Sequence, residues 1–263
     1  MITEKLIFKI PYEIADVPDY DVIFGANYFD HWDFNNAGSL TLTGTLIDEA
    51  RSLTGSGRDF FSSGTQRPSI ITDATIGRNV AEFDGVSENM FVFGSGTSYD
   101  FLHNGDGGCV IVVYKSNTTP AIQSQLVTNS FGDIGFRIQH VGNINSVVRN
   151  ASTNIIVNAT TESTPNGDYA SSVTVLDAGN ATLVDRAEQV TNGVSAKNNT
   201  TSGTPTLLQA SNDLRIARRA NAGSFYLDGT ISEVIIADTI PTPTQLAQVQ
   251  ARLEFDYGTF PIT

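Results

Sequence analysis

The sequence has few charged residues and a single cysteine. Charged residues make up 16% of the chain, against about 25% in an average domain. With Cys109 alone, no disulfide can form within the chain, so the fold must be held by its hydrophobic core. Because Cys109 lies in an apolar run with no histidine near it in sequence, we interpret it as a core residue.

The chain also lacks a long hydrophobic run and a signal-peptide pattern. No stretch approaches the ~20 consecutive apolar residues that a transmembrane helix needs. The apolar residues at the N-terminus alternate with charged ones and end at Pro11. We therefore expect no membrane insertion, and export by another route, such as release of a particle on cell lysis.

Basic residues are scarce relative to acidic ones. The chain has 15 Lys and Arg against 28 Asp and Glu, a formal net charge of −13. Such a surface repels phosphate backbones and anionic headgroups, which argues against nucleic-acid and membrane-surface partners. Neutral partners or a metal cation fit this charge better.

What the sequence does contain is a series of short strand patterns. From about residue 40, segments such as Leu40–Thr43 alternate apolar and polar residues at period two. Cys109–Lys115 is a nearly continuous apolar run, which is typical of a strand covered on both faces. The spacing of these segments predicts an all-β fold, a two-sheet antiparallel jelly-roll sandwich.

One short helix and a separate N-terminal segment complete the organisation. Leu246, Val249 and Leu253 recur at helical spacing, and Thr242 or Thr244 can cap this C-terminal helix. Residues 1–24 form a predicted arm or docking segment that packs on the domain itself or on a partner subunit. Residues 25–263 form the predicted jelly-roll domain.

Two segments resemble the concanavalin A-like and laminin-G-like jelly-roll superfamily. The first is 80–91, where Phe83, Asp84 and Gly85 precede an acidic residue and an aromatic one. The second is 225–238, with the pattern Gly-x-Ile-x-Glu-Val, followed by the helix and a Tyr-Gly pair. The resemblance covers about residues 40–258 and implies the same sandwich fold.

This superfamily includes lectins, glycoside hydrolases, adhesion modules and virion proteins, so the fold leaves the function open. An acidic, Thr- and Asn-rich domain of this kind resembles those that phages place in tail fibres, head fibres and capsid decorations. The first hypothesis is a non-enzymatic virion surface protein that contacts other subunits, or its own copies, through the N-terminal segment, with host-glycan adhesion as a candidate role. A carbohydrate-binding module, Ca²⁺-dependent or not, and a glycoside hydrolase are the alternatives.

Candidate sugar-binding residues are aromatic, because a sugar ring stacks on an aromatic face. Trp32 lies in a polar stretch and is the first candidate, unless it packs beneath the N-terminal region. Three tyrosines, Tyr28, Tyr99 and Tyr226, are weaker candidates.

The resemblance implies that Ca²⁺ is a candidate cofactor, because many relatives hold it with loop carboxylates. The candidate ligands at predicted loop edges are Asp48, Asp84, Asp213 and Asp228.

Evidence for catalysis is weak in the sequence. Glu82, Asp84 and Glu88 approach the carboxylate spacing of a glycosidase strand, but the last interval is too long and Gly85 interrupts the strand. We interpret Asp84 as a turn residue and assign no catalytic residue. The three histidines lie far apart, and we expect each on the surface or in a loop.

Overall fold

The strands of this protein pair exclusively in antiparallel fashion in the part of the chain that the structure describes. The structure is a computed structural model. It describes residues 17–118, 124–130, 134–150, 153–163, 167–197, 203–205, 207–219 and 225–258, with side chains described outside 153–163. Residues 1–16, most of the predicted arm, lie outside the described residues.

Within the described residues, seventeen strands, numbered in chain order, fold into two layers. The first layer is built around β17 and β8, with β1 and β6 end to end on the other edge of β17. Its strands are β1 (Tyr28–Asp33), β5 (Ser69–Asp73), β6 (Arg78–Asp84), β8 (Gly108–Ser116), β13 (Tyr169–Leu176), β14 (Ala187–Thr191), β15 (Val194–Ala196) and β17 (Asp228–Ala237).

The second layer runs in the spatial order β2-β3-β4-β7-β16-β9-β10-β11-β12. The pair Leu46 and Ser69 joins it to the first layer. Its strands are β2 (Leu40–Thr43), β3 (Leu46–Ala50), β4 (Phe60–Phe61), β7 (Met90–Val92), β9 (Ser124–Thr128), β10 (Gly135–His140), β11 (Asn143–Asn150), β12 (Thr153–Ser163) and β16 (Arg215–Ile216).

The part of the chain that the structure describes also contains three α-helices. They are α1 (Tyr20–Phe24), α2 (Phe101–Asn104) and α3 (Pro243–Tyr257), and short 3₁₀ turns occur at Gly25–Asn27, Ala37–Ser39, Gly64–Gln66 and Leu183–Asp185. No helix among the described residues is long and apolar enough to cross a membrane. The predicted all-β sandwich with a short C-terminal helix is confirmed.

The strand β8 explains how the layers are held together. Val110, Val112 and Tyr114 point to one side and belong to the buried cluster between the two layers. Cys109, Ile111 and Val113 point to the other side, where they are covered by α1 and α3. The apolar run at 109–115 is therefore buried on both faces, as predicted, and each such side chain contributes about 1.5–3 kcal/mol by its burial.

The C-terminal helix is placed by its cap and its apolar stripe. The Thr242 hydroxyl accepts from the Gln245 backbone N–H, and the Gln245 side chain accepts in return from the Thr242 backbone N–H. Val249 and Leu253 are buried on the first layer, as the spacing predicts.

Part of the predicted arm packs on the domain itself. Tyr20, Ile23 and Phe24 of α1 are buried in the same cluster as α3. Gln245 Nε2 donates a hydrogen bond to the Ile23 carbonyl over 2.7 Å. Tyr20, Ile23 and Phe24 thus belong to the domain core, and docking of the preceding residues on a partner stays a prediction.

The hairpin after β13 differs from the sequence expectation. We expect its second strand at 181–186, but the strand that pairs with β13 is β14, at 187–191. Arg186 explains the shift, because its guanidinium donates to the Asn180 and Gly203 carbonyls and holds residues 180–186 as a turn.

Gly229 lies on β17 where the strand passes close to the backbone of β8. A Cβ built there would lie 2.0 Å from the Lys115 carbonyl oxygen, so no side chain fits without moving the strand. We expect Gly229→Ala to lower the free energy of unfolding by about 3 kcal/mol, measured by urea denaturation.

Gly44 is the matched control, because it also has a positive φ but has no atom within 4 Å of the added Cβ. Gly44→Ala should cost about 1 kcal/mol. Equal urea midpoints for the two variants would contradict the close approach at Gly229.

Candidate functional site

Two of the predicted sugar-binding aromatics are core residues. Trp32 is 0% exposed, packs on Phe60 with 4.3 Å between ring centres, and donates from Nε1 to the Arg58 carbonyl. Tyr99 is also 0% exposed, and its hydroxyl donates to Asp30 over 3.0 Å. Neither ring has a face for a sugar, so an exposed Trp32 platform is the wrong expectation.

The other two candidate tyrosines lie at different places. Tyr28 is half-buried and lines a pocket beside α1 and α3. Tyr226 is half-buried near the second layer, with the Arg218 guanidinium 5.3 Å from its ring centre. The structure therefore does not bring the four aromatics together.

The candidate calcium ligands each have partners of their own. Asp48 accepts hydrogen bonds from Thr43 and, over 3.0 Å, from Arg67, and these two partners lower its pKa. Asp213 accepts from the Ser95 backbone N–H over 2.8 Å.

Asp84 and Asp228, two of the candidate calcium ligands, face each other across β6 and β17. Asp84 Oδ1 accepts the backbone N–H groups of Val86, Ser87 and Glu88, which confirms it as a turn residue. No three acidic, histidine or cysteine residues in the described ranges are arranged to hold a metal ion.

The expectation that the histidines lie on the surface or in loops is wrong. His103 and His140 are 0% exposed, and His31 is 9% exposed. Burial lowers the pKa of His140 to about 4. His31 differs from the other two because it lies beside a pocket.

This pocket, here called the Glu233 pocket, is lined by Tyr20, Tyr28, His31, Asp33, Arg78 and Glu233 and has a volume of about 300 Å³. It lies where α1 and the end of α3 cover one edge of the first layer. The strand register places Asp33 of β1 directly opposite Glu233 of β17. The fold thus places two carboxylate residues opposite each other in the lining of the pocket.

Glu233 is a buried charge with several partners. Its side chain is 2% exposed, and Oε2 accepts a 2.9 Å hydrogen bond from the Tyr257 hydroxyl. His31 Nε2 lies 3.9 Å from the same oxygen. Burial alone would raise the pKa of Glu233, but His31, Tyr257 and Arg78 outweigh burial and lower it.

The pKa of Asp33 is shifted in the opposite direction to that of Glu233. Burial, and then the nearby charge of Glu233, raises the pKa of Asp33. Arg78 Nη2 lies 3.5 Å from Asp33, and the Arg78 guanidinium lies 4.7 Å from the Tyr257 ring centre. The pocket therefore holds one carboxylate that ionises readily and one that keeps its proton more strongly.

Several buried polar atoms around this pocket lack a hydrogen-bond partner among the described residues. They are the Tyr20 hydroxyl, His31 Nε2, Arg78 Nε and Glu233 Oε1. Buried polar groups are nearly always paired, and an unpaired one costs about 1–3 kcal/mol. Their grouping at one pocket indicates a place where a ligand or water completes the hydrogen bonds.

The Glu233 pocket has an excess of negative charge. Asp19, Asp21 and Asp256 add three carboxylates to the lining, whereas Arg252 adds only one guanidinium to that of Arg78. This balance disfavours an anionic ligand. It suits a neutral ligand with many hydroxyl groups, which both donate and accept hydrogen bonds.

Sequence reasoning missed this pocket, although one signal was present. Glu233 is the only charged residue in the apolar strand segment 231–237. A charge in a strand buried on both faces must be paired, so it marks a polar site. Its partners come from β1, β6 and α3, which the sequence alone does not bring together.

The fold is similar to solved structures of a sialidase and of toxin binding domains. Trypanosoma rangeli sialidase in complex with sialic acid is 11% identical, with a TM-score of 0.58 over 91% of this chain and 34% of that chain. The receptor binding domain of botulinum neurotoxin C/D mosaic serotype is 8% identical, with a TM-score of 0.61 over 89% and 55%. The binding domain of botulinum neurotoxin serotype D is 8% identical, with a TM-score of 0.55 over 88% and 52%.

This chain thus spans about a third of the sialidase and about half of the toxin domains. No protein-family model and no curated protein matches its sequence.

The expectation that the protein is not an enzyme is corrected by these comparisons. Sialidases, which are enzymes, are among the structures that the chain resembles. At this level of identity the likeness shows the fold alone, so it transfers no activity to this chain.

Glu88, beside the Asp84 turn, provides a test of the electrostatics. Burial, and then the charges of Asp84 and Glu82, raises the pKa of Glu88 to about 7. The folded state therefore binds more protons than the unfolded state between about pH 4.5 and 7, so stability falls as the pH rises through this window.

We expect Glu88→Gln to remove this fall in stability with rising pH. The variant should therefore have a higher melting temperature at pH 8 and little change at pH 4. Because Glu88 is only half-buried, screening by solvent limits the gain to about 1 kcal/mol, or ~3 °C. Glu254→Gln, at an exposed position on α3, is the control. Thermal unfolding followed by circular dichroism at both pH values measures the difference, and an equal gain at pH 4 would contradict the assignment.

Proposed function

We propose that this chain is a carbohydrate-binding domain and that the Glu233 pocket holds a sugar unit through its hydroxyl groups. The observation that carries the proposal is the set of buried, unpartnered polar atoms on residues that line one pocket. The binding domains among the similar structures support it as fold-level analogy.

The polar atoms match the chemistry of sugar hydroxyls. Glu233 Oε1 can only accept and Arg78 Nε can only donate, while the Tyr20 hydroxyl can do either. A hydroxyl-rich ligand satisfies all three at once. The volume of about 300 Å³ is at the small end of ligand pockets, which suits one end of a longer glycan.

The biological setting that we propose is a virion surface. The support is the resemblance of residues 80–91 and 225–238 to concanavalin A-like and laminin-G-like domains, together with the acidic, Thr- and Asn-rich composition. Many copies on one particle would turn a weak sugar site into tight attachment. Docking through the N-terminal segment remains part of this proposal.

Binding to an array of neutral glycans tests the sugar site. Tyr20→Phe is the sharpest variant, because the lost hydroxyl has no hydrogen-bond partner among the described residues and its removal should leave folding unharmed. We expect Tyr20→Phe to weaken binding about 5-fold and Glu233→Gln to weaken it about 10-fold or more, at ~1.4 kcal/mol for each factor of ten.

Glu254→Gln removes a carboxylate from the exposed side of α3 and serves as the matched control. It should bind as the unmodified protein does. The proposal fails if no glycan binds, or if Tyr20→Phe and Glu233→Gln bind like the control while their melting temperatures show that they are folded.

A second candidate function, glycan hydrolysis, is favoured by the opposite pKa directions of Asp33 and Glu233. Glycosidases use one carboxyl group as an acid and one carboxylate as a base or nucleophile. The raised pKa suits Asp33 for the role of the acid, and the lowered pKa suits Glu233 for the role of the base or nucleophile.

Release of reducing sugar from the glycans that bind tests this candidate. We expect Asp33→Asn and Glu233→Gln each to lower kcat at least about 100-fold, with Glu254→Gln unchanged. Binding without any release of sugar would overturn hydrolysis and leave the binding proposal intact.

A further inference from the structure

A cluster of arginines lies on the second layer, away from the Glu233 pocket. Arg137 on β10 is directly opposite Thr128 on β9, and Thr128 is directly opposite Arg215 on β16. Arg149 on β11 is diagonal to Arg137, because Gly135 pairs with Arg149 and Arg137 pairs with Val147. These side chains therefore share one face of the sheet.

That face is the outer one. Successive side chains of a strand point to opposite faces, and the immediate neighbours of these arginines are in the core between the layers. Those neighbours are Phe136, Ile138, Val148 and Ile216. The arginines accordingly point away from the core between the layers.

Arg137 is nevertheless buried. It is 8% exposed, and its Nε and Nη1 atoms have no hydrogen-bond partner among the described residues. Burial, followed by the positive charges of Arg219 and Arg149, lowers the pKa of Arg137 to about 10, so the side chain is still charged at neutral pH. A buried charge without a partner costs several kcal/mol unless something neutralises it.

Aromatic rings lie beside two further guanidinium groups of this region. The Arg219 guanidinium lies 5.0 Å from the Phe225 ring centre, and that of Arg218 lies 5.3 Å from the ring centre of Tyr226. Tyr226, one of the sugar-binding candidates from the sequence, thus lies beside this cluster. The region combines fixed donors with an aromatic ring.

We propose that Arg137, with Arg149 and Arg219 around it, binds the carboxylate or sulfate group of an acidic sugar. The planar fork of N–H donors on a guanidinium group can bind two oxygens of such an oxyanion with paired hydrogen bonds. The anion site is independent of the Glu233 pocket, whereas the choice of an acidic sugar as its carrier rests on the proposed carbohydrate-binding function.

Thermal unfolding at pH 7 tests the anion site, with sodium sulfate compared against sodium chloride at equal ionic strength. Sulfate should raise the melting temperature by several degrees, as ligand binding to the folded state does. Arg137→Gln should remove this gain. Arg51→Gln also removes one positive charge, but at an exposed position. Sulfate should still raise the melting temperature of this control variant.

Should Arg137→Gln fail to fold, Arg149→Gln gives the same readout from a half-buried position. An equal gain from sulfate in the folded arginine variants and in Arg51→Gln would overturn the anion site.

Titration calorimetry with glucuronic acid, a sulfated disaccharide and its unsulfated counterpart identifies the carrier. We expect Arg137→Gln to weaken the acidic sugars about 10-fold or more and to leave the unsulfated one unchanged. Glu254→Gln, at an exposed position on α3, should leave the binding of the acidic sugars unchanged. If free sulfate binds but neither acidic sugar does, the acidic-sugar carrier is overturned and the anion site stands. If Glu233→Gln abolishes acidic-sugar binding and Arg137→Gln does not, the arginine site is overturned and the sugar pocket stands.

Discussion

The pairing of β8 with β17 is the interaction on which the rest of the structure depends. Both strands are central in the first layer, and both bury alternate side chains on both faces. One set of side chains forms the core with the second layer, and the other set forms the surface on which α1 and α3 pack. Because Lys115 and Gly229 approach so closely at one end, even a methyl group there would separate the two strands.

This double burial also explains the position of the candidate pocket. Polar groups in a strand covered on both faces are costly, so Glu233 can be retained only with partners close by. Tyr257 at the end of α3, His31 on β1 and Arg78 on β6 supply them. The same helices that bury the outer face thus create the pocket at the place where the carboxylate interrupts the apolar surface.

The sequence predicted the features that depend on local pattern. The apolar residues of the run at 109–115 predicted a strand that is buried on both faces. Thr242, one of the two predicted caps, is the residue that caps the helix in the structure. Local pattern did not predict contacts between residues that are distant in the sequence. The polar stretch around Trp32 suggested exposure, but Asp30 in that stretch is itself buried and accepts hydrogen bonds from Arg58 and Tyr99. No local pattern shows partners so far away in the sequence.

The net charge of the chain likewise does not predict the charge around each site. A total of −13 argues against phosphate-rich partners, but binding depends on the local field, and at short range a few fixed groups outweigh distant, screened ones. The Glu233 pocket is negatively charged, like the chain as a whole. Arg137, by contrast, is surrounded by the positive charges of Arg149 and Arg219. The acidic surface would repel an anion at long range and so slow its approach, yet it cannot cancel the buried guanidinium once the anion arrives. A chain of this composition can therefore present one site for neutral hydroxyl-rich groups and another for acidic ones, on different layers of the same sandwich.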